Sequence, residues 1–245
     1  MLWLRSVLFN IWMYGLMAVL GLLLMPLAAW SRTGAYYAIG VYLKLVFWGL
    51  RALCGLTAEV RGPVPTGDVL IASKHQSFLD ILILIRALPR AKFVMKRSLV
   101  WAPVLGFYAL RIGASPVTRG KGWASVSEMM EEVGRRRDLD GQLVIFPQGT
   151  RVPPGAQAPY KLGSHLIYRT YDLPCTPAAL NTGAFWPRRG VIRRPGVAVV
   201  EFLEPLPRGL GPREFVEELT RRIEPASDAL LSEARAGAGR SSGGA

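Results

Sequence analysis

The sequence predicts an α/β fold, with a central, mostly parallel sheet flanked by helices and an N-terminal membrane-anchoring helical pair ahead of it. Three observations point there. The first 58 residues carry Arg5, Arg32, Lys44 and Arg51 as their only charged side chains. From Gly62-Pro63 onward, short apolar runs alternate with helical stretches, as expected for a sheet with helices packed on it. A chain of 245 residues suits one well-filled domain better than two.

The elements follow in order. Ser6 to Ser31 holds no charge and is long enough to cross a bilayer core. It is too long for the apolar part of a signal peptide, and no small-residue cleavage site precedes a polar start. Asn10 near its beginning and Pro26 near its end suit a helix that spans the bilayer or one that re-enters it. Thr33–Leu56 is a second apolar stretch. Lys44 and Arg51 interrupt it seven residues apart, on one helical face, as in a helix lying in the interface with its cations toward headgroups. Next come a strand at Val69–Ser73, a helix at Phe78–Leu88 stopped by Pro89, and a short strand at Phe93–Met95. A helix at Ser98–Ile112 is interrupted at Pro103. Ala114–Val117 reads as a strand, Trp123–Arg137 as a helix, Leu143–Phe146 as a buried strand and Lys161–Tyr171 as a helix. Thr176–Leu180 and Val197–Leu203 read as strands, and Pro212–Ile223 as an amphipathic helix. The organisation is thus a membrane-anchoring segment at 1–58, a catalytic domain at 59–235 and a Gly/Ser/Ala-rich disordered tail at 236–245.

A formal net charge of +13 calls for an anionic partner. No zinc-finger spacing, aromatic RNA-binding strand or basic heptad helix is present, so nucleic acid is excluded and a membrane surface or phosphorylated substrate is left. Cys54 and Cys175 stand apart in apolar surroundings, which suits a reducing compartment. Two histidines rule out a multi-His metal site, and no metal is expected.

The chemistry gathers at the strand-to-helix junction Ser73-Lys74-His75-Gln76-Ser77-Phe78-Leu79-Asp80. Ser77 is a natural N-cap and Asp80 stands three residues on, as in a capping box. A loop His75 can fold back and donate its Nδ1 proton to Asp80. That contact fixes the tautomer, leaves Nε2 free as a base and stabilises the imidazolium. On spacing alone, a plain helix cap beside an ordinary loop histidine fits as well. The second junction is Phe146-Pro147-Gln148-Gly149-Thr150-Arg151. Gly149 lets the backbone pass close to a ligand, Thr150 offers a hydroxyl, and Arg151 offers a planar fork that matches phosphate oxygens. Lys96 and Arg119 follow two further strands. Ligands of open α/β sheets bind beyond the carboxyl ends of the strands, so a base and three cations point to a phosphorylated substrate with a nearby hydroxyl. His165 reads as structural. Trp186-Pro187-Arg188-Arg189 with Arg193-Arg194 suits either a headgroup layer or plain surface.

Together these residues resemble the glycerolipid acyltransferases, specifically the 1-acyl-sn-glycerol-3-phosphate acyltransferase (lysophosphatidic acid acyltransferase) family. Its His-x4-Asp motif is matched by His75 and Asp80, and its basic stretch by Lys96 to Arg119. Its Phe-Pro-Glu-Gly-Thr-Arg motif is matched from Phe146 to Arg151 at all but Gln148, and its proline in an apolar strand by Pro177. The motifs occur in the family's order over roughly residues 60–205. The resemblance implies the family's α/β fold and direct transfer of an acyl group, with no covalent enzyme intermediate and no cofactor, from acyl-CoA or acyl-carrier protein as co-substrate. The acceptor would be the sn-2 hydroxyl of 1-acyl-glycerol-3-phosphate, lysophosphatidic acid, and the product phosphatidic acid for phospholipid biosynthesis. His75 would be the base and Asp80 its holder. Lys96, Arg119, Gly149, Thr150 and Arg151 would grip the phosphate, and Gln148 and Pro177 would position substrate. Gln148 stands where the family carries Glu, keeping the reach but losing the charge. Two other readings stand beside this one: another lyso-lipid acceptor such as lyso-ornithine lipid, and a membrane lipid hydrolase using Ser77 with His75. A non-catalytic lipid-binding protein would need no His75. The expected location is the cytoplasmic face of an inner membrane. Oligomeric state has no signature in the sequence.

Overall fold

A computed structural model of the chain describes residues 1–118, 120 and 123–242, with the backbone alone for 238–242. Its strands are β1 Leu56–Arg61, β2 Leu70–Ser73, β3 Lys92–Lys96, β4 Ser115–Val117, β5 Leu143–Ile145, β6 Cys175–Leu180 and β7 Gly196–Phe202. They form one seven-stranded sheet in the order β1-β7-β6-β2-β5-β3-β4. Every neighbouring pair is parallel except β6 with β7. The carboxyl ends of β2 through β6 therefore open on one edge. β2 lies between β5 and β6, so the chain leaves β2 with the exits of β5 and β6 on either side. A crevice at such a position is the usual ligand site of an open α/β sheet.

The helices are α1 Leu2–Leu23, α2 Met25–Trp30, α3 Arg32–Cys54, α4 Leu79–Ala87, α5 Leu105–Arg111, α6 Trp123–Gly134, α7 Gly163–Thr170 and α8 Pro212–Ser242. Alternation along the strands sorts them into two layers. Ile71, Val144, Ala178 and Val200 face one core with α1, α3 and α4. Leu70, Ala72, Leu143 and Ile145 face the other with α6, α7 and α8.

The division at residue 58 does not follow the packing. Phe9 and Met13 of α1 and Leu43, Val46 and Leu50 of α3 share one core with Ile71 and Leu84. The second apolar run stops two residues short of the expected Leu56. Gly55 takes the left-handed conformation (φ 63°) that ends α3, and β1 begins at once along β7. β1 goes unread in the sequence because the second apolar stretch is carried to Leu56, although Leu56, Ala58 and Val60 alternate with Thr57, Glu59 and Arg61 as in a half-buried strand. A further tie comes from Arg193, which the sequence left between headgroup contact and surface. Its backbone N–H donates to Ser6 Oγ (2.9 Å), its guanidinium donates to Asn10 Oδ1 (3.1 Å), and it lies 4.0 Å over the buried Trp186 ring. Burial lowers its pKa to about 10, which leaves the group charged at neutral pH.

Three further expectations are corrected. Ser98–Ile112 is interrupted at Pro103 as expected, but its first half is not α-helical. The stretch is a 3-10 turn at Arg97–Trp101 followed by α5, broken beside Pro103 where Val104 has φ 63°. Val104 is β-branched and strained there. Its methyl occupies the space a Cβ on Gly21 of α1 would need. The Trp123–Arg137 helix ends at Gly134. The last helix does not stop at Ile223. α8 runs through Pro225 to Ser242, across the expected start of the tail at Ala236, while 243–245 lie outside the described residues. Burial of Leu219, Ile223, Leu230 and Leu231 on both sides of Pro225 carries the helix past a residue that alone would break it.

Phe9 is wholly buried between α1 and the sheet layer. Phe9→Ala is therefore expected to destabilise the whole domain by about 3–5 kcal/mol, as a large core truncation does. A single cooperative melt in detergent, shifted down and monitored on the sheet signal, checks this. An unchanged sheet melt would mean that α1 is a detachable anchor.

Candidate active site

The loop that leaves β2 folds around the Asp80 carboxylate, which is fully buried. Asp80 Oδ2 accepts from the backbone N–H groups of Gln76 (2.7 Å) and Ser77 (2.9 Å) and faces His75 Nδ1 at 2.8 Å. Asp80 Oδ1 accepts from the Thr182 hydroxyl. Three donors on one carboxyl group, two backbone N–H groups and one hydroxyl, are the pattern of an acceptor-only carboxylate, which makes Nδ1 of His75 the protonated nitrogen. Ser77 Oγ accepts from Leu79 N–H (3.1 Å), so the Ser77–Asp80 pair forms a cap at the start of α4. That cap explains how two residues five apart meet: a turn brings them together where one helix would have pointed them apart.

Neighbouring strand exits complete the cage. From β5, the Phe146 ring stacks on His75 with centroids 3.9 Å apart, and Val152 N–H donates to the His75 carbonyl at 2.7 Å. From β6, Gly183 N–H donates to Gln76 Oε1 at 3.0 Å. From below, Lys74 Nζ pairs with Glu224 of α8 at 2.5 Å, and Glu224 also accepts from Tyr160 at 2.7 Å. Lys74 is fully buried, so this pair holds the loop at its base.

His75 looks into an apolar cavity of about 270 Å³. Its walls come from Met17 and Leu20 of α1, Ile39 and Leu43 of α3, Ile85 of α4 and Tyr108 of α5. Its charged lining residues are Lys96 and Arg151. Lys96 ends β3 and is exposed. The next residue, Arg97, is tied to Glu128 (2.6 Å) and Glu132 (3.3 Å) of α6, which fixes where the strand ends. Arg151 is half-buried, and its burial lowers its pKa while nearby Asp80 raises it. Arg188 donates to the Arg151 carbonyl (3.3 Å), and its charge also opposes that of Arg151. Among the described residues neither Arg151 nor Arg188 forms an ion pair, which leaves their charges available to an anion.

The remaining sequence expectations divide. Gly149 has φ 69°, a conformation glycine adopts freely, and makes the turn that presents Arg151. Thr150 is half-buried beside it; neither it nor Gly149 lines the cavity. Arg119 lies outside the described residues. Pro177 and Gln148 do not reach substrate space. Pro177 sits inside β6, paired with Ala72 of β2. Gln148 is buried and absent from the cavity wall, with both amide atoms free of hydrogen-bond partners among the described residues. The Ser77 hydroxyl is buried as a cap and is likewise absent from the wall. His165 is buried against Phe215 and contacts the Leu210 carbonyl at 3.2 Å. Thr182 goes unnoticed in the sequence, and Arg188 reads there only as headgroup contact or plain surface. Thr182 follows β6, the strand beside β2, so the same strand-end reasoning finds it. Arg188 lies in a loop whose position only the fold reveals.

Comparison with known proteins gives a family and a fold. The family model described as Acyltransferase matches residues 57–181. The chain is 27% identical over 191 residues to the 1-acyl-sn-glycerol-3-phosphate acyltransferase of Pseudomonas aeruginosa, covering 77% of this chain and 74% of that protein. It is 29% identical over 187 residues to the human 1-acyl-sn-glycerol-3-phosphate acyltransferase alpha, covering 74% of this chain and 66% of that protein. Its fold is similar to the crystal structure of the 1-acyl-sn-glycerophosphate acyltransferase of Thermotoga maritima. The TM-score is 0.74 at 19% identity, over 94% of this chain and 99% of that one.

Gln148 yields a stability test. A buried amide without partners costs more than an apolar group of its shape, and a buried unpaired charge costs more still. Gln148→Leu is expected to leave the melting temperature within a few degrees or raise it. Gln148→Glu is expected to destabilise at neutral pH by about 1–3 kcal/mol. A Glu variant as stable as the parent would reveal a partner for that position.

Proposed function

The chain belongs to the Acyltransferase family, and from that premise we propose that it transfers a fatty acyl group from acyl-CoA or acyl-carrier protein to the sn-2 hydroxyl of 1-acyl-glycerol-3-phosphate, giving phosphatidic acid. The observation that carries this reading is the His75–Asp80 contact of 2.8 Å at the mouth of an apolar cavity that also holds Lys96 and Arg151. Base, cations and a slot for a hydrocarbon chain meet at one place, and the acceptor supplies a hydroxyl, a phosphate and a chain.

In the reaction, His75 Nε2 takes the proton of the acceptor hydroxyl as its oxygen attacks the thioester carbonyl. Among the described residues no protein group occupies Nε2. Asp80 holds the ring and stabilises the imidazolium as it forms. The tetrahedral intermediate collapses with loss of the thiolate, which takes the proton back from Nε2. Arg151 and Lys96 bind the phosphate, with Arg188 as a neighbour, and the apolar cavity receives an acyl chain. The two N-terminal helices are long and apolar enough to cross a membrane. With Lys44 and Arg51 on one face of α3, they support a site on the cytoplasmic side of the inner membrane.

In detergent, with lysophosphatidic acid and acyl-CoA or acyl-carrier protein, the wild type is expected to form phosphatidic acid. His75→Ala should lose roughly a hundred- to ten-thousandfold in rate. Arg151→Gln should raise KM for lysophosphatidic acid roughly ten- to a hundredfold, the value of a charge-assisted contact. Higher turnover of a lyso-ornithine lipid, unaffected by Arg151→Gln, would shift the acceptor to that phosphate-free class. Labelling by a serine-reactive fluorophosphonate would replace transfer with hydrolysis through Ser77.

Thr182 makes a separate case, because it touches Asp80 and not substrate. Thr182→Val should lower kcat roughly ten- to a hundredfold with KM little changed, as loss of one hydrogen bond to a charged group does. It should also move the acidic limb of the pH–rate profile, and Thr182→Ser should restore both. Equal loss in the Ser and Val variants would assign Thr182 to packing alone.

A further inference from the structure

A second opening lies on the outer side of α3, away from His75. It is a groove of about 790 Å³ between α3, the end of α4 and the edge strand β1. Apolar side chains line it, including Ile39, Leu43, Phe47, Ile85 and Leu88. Its charged lining residues are all cations: Lys44, Arg51 and Arg86. The Arg86 guanidinium lies 4.7 Å from the centroid of the Phe47 ring. Among the described residues none of the three forms an ion pair, whereas Lys74, Arg97 and Arg213 are each bonded to a carboxylate. Trp48 also lines the groove and is 61% exposed. Lys44, Trp48 and Arg51 form a strip on one side of α3, which is apolar and long enough to cross a membrane.

We propose that this groove binds one anionic membrane phospholipid, with its phosphate among Lys44, Arg51 and Arg86 and an acyl chain along the apolar lining. Three cations without counter-ions fit a phosphate, and the apolar surface between them fits a chain rather than a free ion. An exposed tryptophan beside cations is the side-chain pairing of a headgroup layer. The site is distinct from the substrate cavity but not remote from it. Ile39, Leu43 and Ile85 line both, so a chain in the groove packs against the back of the cavity wall. Binding needs no turnover and stands or falls apart from the catalytic assignment.

The test uses the full chain in detergent. Native mass spectrometry with equimolar phosphatidylglycerol and phosphatidylcholine reads retained lipid. The wild type is expected to keep one phosphatidylglycerol in preference to phosphatidylcholine. At roughly fivefold per cation, the variant Lys44→Gln/Arg51→Gln/Arg86→Gln should bind about a hundredfold more weakly. The same charge removed at Arg208, Arg213 and Arg221, away from the groove, should change nothing. Equal retention by wild type and groove variant, equal loss in the control, or no preference for the anionic lipid would each overturn the site. A second readout does not depend on the triple variant folding. Phosphatidylglycerol with brominated chains should quench a fluorescence component that is missing in Trp48→Phe, and brominated phosphatidylcholine at the same concentration should not. Equal quenching by both lipids, or quenching unchanged in Trp48→Phe, contradicts the proposal.

Discussion

A buried carboxylate is tolerable only when donors surround it, and Asp80, at the start of α4, meets that condition through two other pieces of chain. Gln76 and Ser77 give backbone N–H groups, His75 gives its ring N–H, and Thr182 reaches across from the end of β6. Removing any one donor leaves the charge short and loosens the others. The β2 exit, the start of α4 and the β6 exit are therefore set relative to one another by one side chain. The imidazole orientation follows, since Phe146 closes the other face of the ring. Lys74 and Glu224 serve as the lower fastening of the same loop.

The apolar N-terminus is part of this arrangement as well as a means of meeting the membrane. α1 and α3 close one face of the sheet and supply one side of the cavity beside His75. Val104, strained at φ 63°, rests its methyl where Gly21 leaves room, and Tyr108 donates to the Gly21 carbonyl at 3.0 Å. The segment that brings the protein to lipid thus also shapes the space in which a lipid chain would lie.

What could be read in the sequence was whatever rests on local chemistry. The His75–Asp80 relation is a cap and a turn within six residues, and strand ends marked by Lys96 and Phe146–Arg151 are short-range features. The βα alternation sets the parallel core because each unit repeats a local pattern. Long-range placement was not legible. β1 alternates as a strand does, but it follows an apolar helix directly and its partner β7 lies far along the chain. Pro177 lies in an apolar strand as its motif implies, but β6 buries it beside Ala72 of β2, away from the cavity wall. Gln148 reads as polar and available, but the turn at Gly149 presents Arg151 and leaves the amide buried. Arg193 reads as surface charge until α1 covers it. Pro225 reads as a stop, and the core on both sides of it overrides that.

The central claim is that Asp80 holds His75 as the Nδ1-protonated tautomer with Nε2 free. Nitrogen-15 NMR of protein labelled at histidine tests it directly. The chain has only two histidines, so a His165→Gln variant assigns the signals. The account predicts, at neutral pH, a bare-type Nε2 resonance and a protonated Nδ1 whose hydrogen-bonded proton shifts upfield in Asp80→Asn. A ring protonated at Nε2, or one whose signals do not respond to Asp80→Asn, would contradict it.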